Sequence, residues 1–338
     1  MFLVSVSLLT YNGSRFIKNC LRSVLAQTYP KIELLIIDNG SDDETVNLAK
    51  EIILKENPKI PVRIIENEKN LGFSGGHNLG IRESKGELIL FLNQDVILRQ
   101  DFIGKIVGYF EKNKDKKIGS FQGKLLRLEN NLQPTDIIDT AGFLMMRNRR
   151  IINRGQGEKD RGQFEKTEEI FGADGAAPVY RKEALVDSEI MGEYFDEEFF
   201  MYKEDVDLAW RLKLFGWESI FLPEAKAWHK RGVGEAAAMN YFSIIKERRK
   251  INKFGKFLAF RNQRLMQIKN ELPALLFKHL PWILFKEIGA WLYVILFEPY
   301  TLKAAKDLIK MAPQAFAKRK IIMSRKRIDS IEMKKWFV

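Results

Sequence analysis

The chain has 338 residues, 46% of them hydrophobic and 30% charged, a balance that fits a globular protein with an ample core and excludes a disordered or collagen-like one. A single cysteine, Cys20, excludes a disulfide framework, and no Cys/His spacing suits a structural zinc site. The net charge of +12 is unevenly spread: residues 240–338 carry 22 Lys/Arg against 7 Asp/Glu, whereas residues 1–239 carry 34 against 37. That break predicts two regions, 1–235 and 236–338, meeting near Gly232-Val233-Gly234. The opening stretch has no basic leader and is too short to span a bilayer, so a cytoplasmic protein is expected.

In chain order, residues 3–9 form an apolar run closed by Asn12-Gly13 and read as a buried strand. Phe16, Ile17, Cys20, Leu21, Val24 and Leu25 then fall on one helical stripe, ended by Tyr29-Pro30. A second strand is expected over 32–37, and Ser41 to Glu44 has capping-box spacing for a helix running to about Lys55. Further strands are expected over 62–66 and 88–92, with a short helix over 78–84 between them. Residues 71–80 read as a glycine-rich turn that lets backbone approach a ligand, in neither a dinucleotide nor a P-loop register.

Uniformly apolar strands alternating with helices predict an α/β fold with a mostly parallel sheet covered on both faces. Ligands of such sheets bind beyond the carboxyl ends of the strands. Three polar clusters converge there: Thr10-Tyr11-Asn12, Asp38-Asn39 and Asn93-Gln94-Asp95. Each of them alone would serve as an ordinary turn.

Further on, Glu204-Asp205 precedes the stretch Val206, Ala209, Trp210 and Leu214, which ends at Gly216. The pair therefore sits at a helix start. Acidic residues are common there for dipole reasons alone, but the position also suits a carboxylate that must stay ionised. Residues 127–169 are polar and rich in glycine and charge, and read as a mobile flap.

These motifs together resemble family 2 glycosyltransferases over about residues 1–235. The resemblance rests on Thr10-Tyr11-Asn12, Gln27-Thr28-Tyr29-Pro30, Asp38-Asn39-Gly40-Ser41, Asn70-Leu71-Gly72-Phe73, Asn78-Leu79-Gly80 and Asn93-Gln94-Asp95. It continues through Phe195-Asp196-Glu197-Glu198, then Glu204-Asp205-Val206-Asp207, and ends at His229. The rhamnosyltransferase-like branch of bacterial surface-polysaccharide and O-antigen enzymes is the nearest match.

The resemblance implies a GT-A fold, with residues 1–126 as a nucleotide-sugar half and 127–235 as an acceptor half. It implies inverting transfer from a nucleoside-diphosphate sugar, rhamnose being the branch expectation, with Mg²⁺ or Mn²⁺. Asp38 takes the position that accepts the pyrimidine N–H, flanked by Thr10, Tyr11 and Asn12. Asn39, Gly72, Asn78, Asn93, Gln94 and Asp95 complete the implied donor site. Asn93 departs from the usual Asp of the metal motif, and His77 stands where relatives often carry Asn. Asp95 and His229 are the implied metal ligands, since hard oxygen and imidazole donors suit such ions. Asp205 is the implied base that takes the acceptor hydroxyl proton. Asp174, Glu204 and Asp207 are the implied acceptor contacts.

The tail reads as helices over 241–253 and 257–270, followed by an apolar stretch over 272–300. Its longest uncharged run has ten residues, against about 20 for a span. A membrane-surface extension is expected, on the inner face, because tryptophans and flanking lysines suit the headgroup boundary. Simple packing on the catalytic half is the alternative for this tail, and a nucleic-acid partner is not expected. The alternatives for the whole chain are a sugar-nucleotide pyrophosphorylase, for which Gly13-Ser14-Arg15 is too thin a signature, and a non-catalytic GT-A-like binding module with a basic anchor.

Overall fold

A computed structural model describes residues 1–231 and 241–338. The boundary placed at 232–234 lies outside the described residues. The chain opens with β1 (Val4–Thr10), α1 (Ile17–Leu25), β2 (Ile32–Asp38), α2 (Thr45–Glu56), β3 (Val62–Glu66), α3 (Gly72–Glu83) and β4 (Leu88–Asn93). β1, β2, β3 and β4 pair in parallel in the order β3-β2-β1-β4. Every residue of β2 is buried, as a strand covered on both faces requires. Of the six residues of the predicted stripe, Ile17, Cys20, Leu21 and Val24 are buried on α1, and Phe16 and Leu25 are half-buried. Burial of side chains of this size contributes roughly 1.5–3 kcal/mol each.

The middle of the chain adds β5 (Val96–Leu98), α4 (Phe102–Lys112), β6 (Ile118–Leu128), β7 (Pro134–Thr140), β8 (Phe143–Met145), β9 (Ile151–Asn153) and β10 (Glu168–Ile170). After these come β11 (Val179–Arg181), α5 (Lys182–Asp187), α6 (Glu204–Leu214) and β12 (Glu218–His229). β11 joins β4 to β6 antiparallel, and β12 lies parallel to β6, extending the sheet to ten strands. β8 and β9 form a separate ribbon. The division expected at residue 126 falls inside β6.

Three sequence expectations change. The glycine-rich segment is not a turn but the first turns of α3. Its glycines are set by close packing: a Cβ at Gly76 would sit 2.3 Å from Leu9, and one at Gly80 would sit 2.1 Å from Ser7 Oγ. Ser41 does not open a capping box, because its hydroxyl donates to Asp38 and α2 starts later, at Thr45. The stretch read as a flap is ordered into β7, β8, β9 and β10, with Asp139, Thr140 and Ala141 buried.

The tail holds α7 (Tyr241–Lys250), α8 (Lys253–Asn270), α9 (Pro273–Lys278), α10 (Leu280–Phe297), α11 (Lys303–Arg325) and α12 (Ser330–Lys334). α8 is sunk into the N-terminal region. Lys269 bonds Asp196 and Asp207, Asn270 bonds Asp207, and Arg149 forms a two-point pair with Glu271 just beyond the helix. Lys318 of α11 adds a second cation on Asp196, at 2.7 Å. Among the described residues α10 is the one helix long and apolar enough to cross a membrane by length and composition, and most of it is exposed. Its two charges, Lys286 and Glu287, pair with each other, and Glu287 also meets Arg264 of α8. Leu284, Phe285, Ile288, Leu292, Ile295 and Leu296 are all about half exposed or more.

Candidate active site

The carboxyl ends of β1, β2 and β4 converge as the alternation predicts. The Asp38 carboxylate accepts from the Thr10 hydroxyl at 2.9 Å, the Ser41 hydroxyl at 2.6 Å and the Ser41 N–H at 2.8 Å. Gln94 brackets Tyr11, accepting its N–H and donating to its carbonyl, both at 3.0 Å. Asn12, in the left-handed region at φ 47°, donates its N–H to Ser41 Oγ and accepts from the Asp42 N–H. The result is a hydrogen-bonded shelf at the strand ends, with Tyr11 45% exposed.

Beyond β4, a second cluster forms around His229 at the end of β12. Its Nδ1 lies 2.8 Å from Asp139 Oδ2, and its Nε2 lies 3.4 Å from Asp95 Oδ1. Burial alone would lower the His229 pKa, but the Asp95 and Asp139 carboxylates outweigh it and raise it to about 10. Asp139 is fully buried, and the Arg231 guanidinium and His229 hold it well below the usual carboxylate range against the opposing effect of burial. Arg231 meets Asp139 at 2.5 Å and Asp174 at 3.3 Å. Asp174 also accepts from Asn153 at 3.1 Å and from the Ala176 N–H at 3.0 Å. The next N–H, that of Gly175, donates to Asp205 Oδ2 at 3.2 Å. A continuous relay of contacts thus runs from Asp95 through His229, Asp139, Arg231 and Asp174 to Asp205.

No group of three or more His, Cys, Asp or Glu among the described residues forms a self-sufficient metal cage. Asp95 and the His229 Nε2 supply two donors. This set fits an ion that draws its other ligands from diphosphate oxygens and water, as Mg²⁺ does. Binding there requires His229 to release its proton first.

Asp205 stands in the first turn of α6, where its Oδ1 also accepts its neighbour's N–H at 2.7 Å. Burial, then the charge of Asp174, pushes its pKa up to about 6, against the opposing pull of Lys203. Glu204 is raised further by burial and by Asp205, and its Oε2 has no hydrogen-bond partner among the described residues. Asp205, Glu204, Asp174 and Arg231 line one cleft of about 450 Å³, together with Ile244, Glu247, Arg248 and Ile251. A carboxylate whose pKa lies just below neutrality, facing an open cleft, is equipped to take a proton.

The structure brings most of the expected residues together but withdraws Asp207, Asn78, Asn39 and Gly72. Asp207 is fully buried and saturated by Lys269 at 2.8 Å and Asn270 at 2.7 Å, so it braces α8 and does not face an acceptor. Asn78 is fully buried, with its amide spent on Phe195 and Glu197. Asn39 ties Gly72 to Asn67, and Gly72 lies against the Phe200 carbonyl, where a Cβ would come within 2.3 Å. Asn93 is held at its backbone by Ala176 and Cys20. His77 is buried among Phe73, Phe91 and Phe195, which lowers its pKa to about 3. Asp139, Asn153 and Arg231 were missed. The signal for Arg231 was its place two residues after His229, while Asp139 lay hidden in the stretch read as a flap.

The family model for glycosyl transferase family 2 matches residues 5–187. The chain belongs to this family. Over 229 residues it is 28% identical to a poly-beta-1,6-N-acetyl-D-glucosamine synthase of Staphylococcus epidermidis, covering 67% of this chain and 49% of that protein. It is 35% identical to an uncharacterized glycosyltransferase of Haemophilus influenzae over 111 residues, a third of each chain. The chain thus spans about half the length, or less, of these curated relatives.

Among solved structures, S. aureus TarS 1–349 in complex with UDP-GlcNAc superposes with a TM-score of 0.57 at 16% identity, over 94% of this chain and 83% of that one. The mannosyltransferase PcManGT of Pyrobaculum calidifontis, with GDP-Man and Mn²⁺, gives 0.54 at 17% identity over 93% and 76%. These likenesses establish the GT-A fold for this family member, with a helical C-terminal region.

Proposed function

We propose that this family 2 member is an inverting glycosyltransferase that moves a sugar from a nucleoside-diphosphate donor to a lipid-linked or polysaccharide acceptor in cell-surface glycan synthesis. The observation that carries the reading is Asp205: a carboxylate with its pKa raised to about 6, opening on a cleft and joined by side-chain and backbone contacts to Asp95 and His229. Asp205 removes the proton of the attacking hydroxyl. Glu204 and Asp174 line the same cleft and orient that acceptor. The shelf of Thr10, Tyr11, Asn12, Asp38 and Gln94 receives the base and ribose.

A divalent ion on Asp95 and His229, when bound, offsets the charge that grows on the departing diphosphate. Arg231, beside that position, adds a fixed cation. The presence of Mn²⁺ in the structure of PcManGT supports this reading. Rhamnose remains the branch expectation for the donor. UDP-GlcNAc is the second candidate, favoured by the TarS complex.

The tail completes the proposal. Residues 240–338 hold the enzyme against the inner face of the membrane through the exposed apolar face of α10, with basic side chains meeting anionic headgroups. The domain reading, 1–235 catalytic and 236–338 membrane-associating, belongs to this proposal. The test is a panel of nucleotide sugars with Mg²⁺, Mn²⁺ or EDTA, scored by calorimetry and by release of the nucleoside diphosphate. Metal-dependent release from one donor is expected; binding of none of them overturns the reading.

A further inference from the structure

The segment that delivers Asp205 is held in an unusual way. Phe200, Tyr202 and Lys203 all adopt left-handed backbone, at φ 63°, 69° and 77°. None of them is glycine, so the conformation is strained and persists only where the surroundings impose it. Those surroundings are two separate parts of the molecule. On one side, the Ser74 N–H of α3 donates to the Phe200 carbonyl at 3.2 Å, and Gly72 allows the close approach. On the other side stands Asn262 of α8, fully buried. Its single amide group reaches the carbonyls of Phe199 at 2.9 Å, Met201 at 3.0 Å and Tyr202 at 2.9 Å. Arg261 fixes the amide's orientation by donating to its Oδ1 at 2.9 Å, and itself holds the Glu198 carbonyl at 2.6 Å. The Lys203 carbonyl accepts from the Asp207 N–H at 2.8 Å. Each carbonyl from 198 to 203 therefore has a nitrogen within hydrogen-bond distance, and four of the six contacts come from residues 261 and 262, the two N–H groups of the Asn262 amide being shared among three carbonyls.

We propose that Asn262 is a positioning residue for sugar transfer. By gathering three carbonyls of the strained segment, it fixes Lys203 and hence the first turn of α6, which sets where the Asp205 carboxylate points. It touches no substrate. This inference rests on the reading of Asp205 as the base, and it makes α8 a working part of the active centre, not merely the start of an anchor. A carboxylate in place of the amide keeps the shape but cannot donate, and would face three carbonyls.

The experiment compares Asn262→Asp and Asn262→Ser with Gln263→Ala, a change on the same helix that removes a hydrogen bond to the Arg149 carbonyl. For each variant, kcat, donor Kd, acceptor KM, melting temperature and hydrogen exchange over residues 199–206 are measured. The expected result is a fall in kcat of about 10–100-fold for Asn262→Asp, since misplacement by about 1 Å is enough for that. Donor Kd should stay within about threefold, because the donor contacts lie elsewhere, whereas acceptor KM should rise by less than kcat falls, since Glu204 stands in the same turn as Asp205. Asn262→Ser, retaining one donor, should recover part of kcat, and Gln263→Ala should leave it unchanged.

A folded Asn262→Ser or Asn262→Asp with wild-type kcat overturns the proposal. So does a loss no larger than that of Gln263→Ala at equal melting temperature. If Asn262→Asp does not fold, Asn262→Ser decides the matter. Should the wild type transfer no sugar at all, the glycosyltransferase reading fails separately. The exchange data then decide the clamp: faster exchange at 200–205 in the serine variant supports it, and unchanged exchange overturns it.

Discussion

At the scale of the residue, the proposed base is Asp205. Its carboxylate shares the cleft with Glu204 and Asp174 and is opposed by the Lys203 cation, with the Tyr180 hydroxyl buried close by. Because a base works only when deprotonated, kcat should rise as pH rises through about 6 and level off above it. A rate that is flat from pH 5 to 8 would contradict the assignment.

The same shift acts on stability with a definite sign. A folded pKa raised above the usual value of about 3.9 means that the folded state holds the proton more tightly. That stabilisation is complete below about pH 4 and is lost as pH rises through about 6. Asp205→Asn keeps an acceptor for the Gly175 N–H but carries no charge. It is expected to melt above the wild type at pH 7.5, with the gap closing toward pH 4; calorimetry at the two pH values checks this.

At the scale of the element, α8 shows how the tail and the N-terminal region depend on each other. Lys269 lies between Asp196 and Asp207, all three buried. Removing one partner of such a group leaves charge uncompensated, at a cost of about 3–5 kcal/mol. Lys269→Ala should therefore lower stability by about that amount in denaturant titration. A loss of less than about 1 kcal/mol would show that the cluster relaxes freely.

Elements with regular periodicity were legible in the sequence. The β3 bounds and the α1 stripe follow directly from apolar spacing, and the convergence of Thr10, Asp38 and Asp95 at strand ends follows from the parallel sheet. What was not legible depended on contacts distant in sequence. Glycines at 72, 76 and 80 suggested a turn, because nothing local reveals that Phe200, Leu9 and Ser7 press on that face. Asp207 lies two residues after Asp205 in the motif, yet those two helical steps turn it by about 200°, inward to meet Lys269. Asp139 carried no local signal at all: only the return of β7 along β6 brings it to His229.

At the scale of the whole molecule, charge and apolar surface are arranged together. The two charges within α10 are paired, Glu287 also with Arg264, so the exposed remainder of that helix is apolar while the surrounding tail is strongly basic. Paired substitution of Phe285 and Leu292 by Glu should abolish co-sedimentation with vesicles containing anionic lipid, while donor binding stays unchanged. Equal vesicle binding by the variant and the wild type would remove α10 from the membrane account.

The central claim is that Asp205 is the base of an inverting transfer. It is tested most directly by single-turnover transfer with the cognate donor, comparing wild type and Asp205→Asn, with donor binding measured in parallel and the product's anomeric configuration read by NMR. The expected result is a rate lowered by roughly 10²–10⁴-fold in the variant, unchanged donor affinity, and an inverted configuration in the wild-type product. Undiminished transfer by Asp205→Asn, or a product with retained configuration, would contradict it.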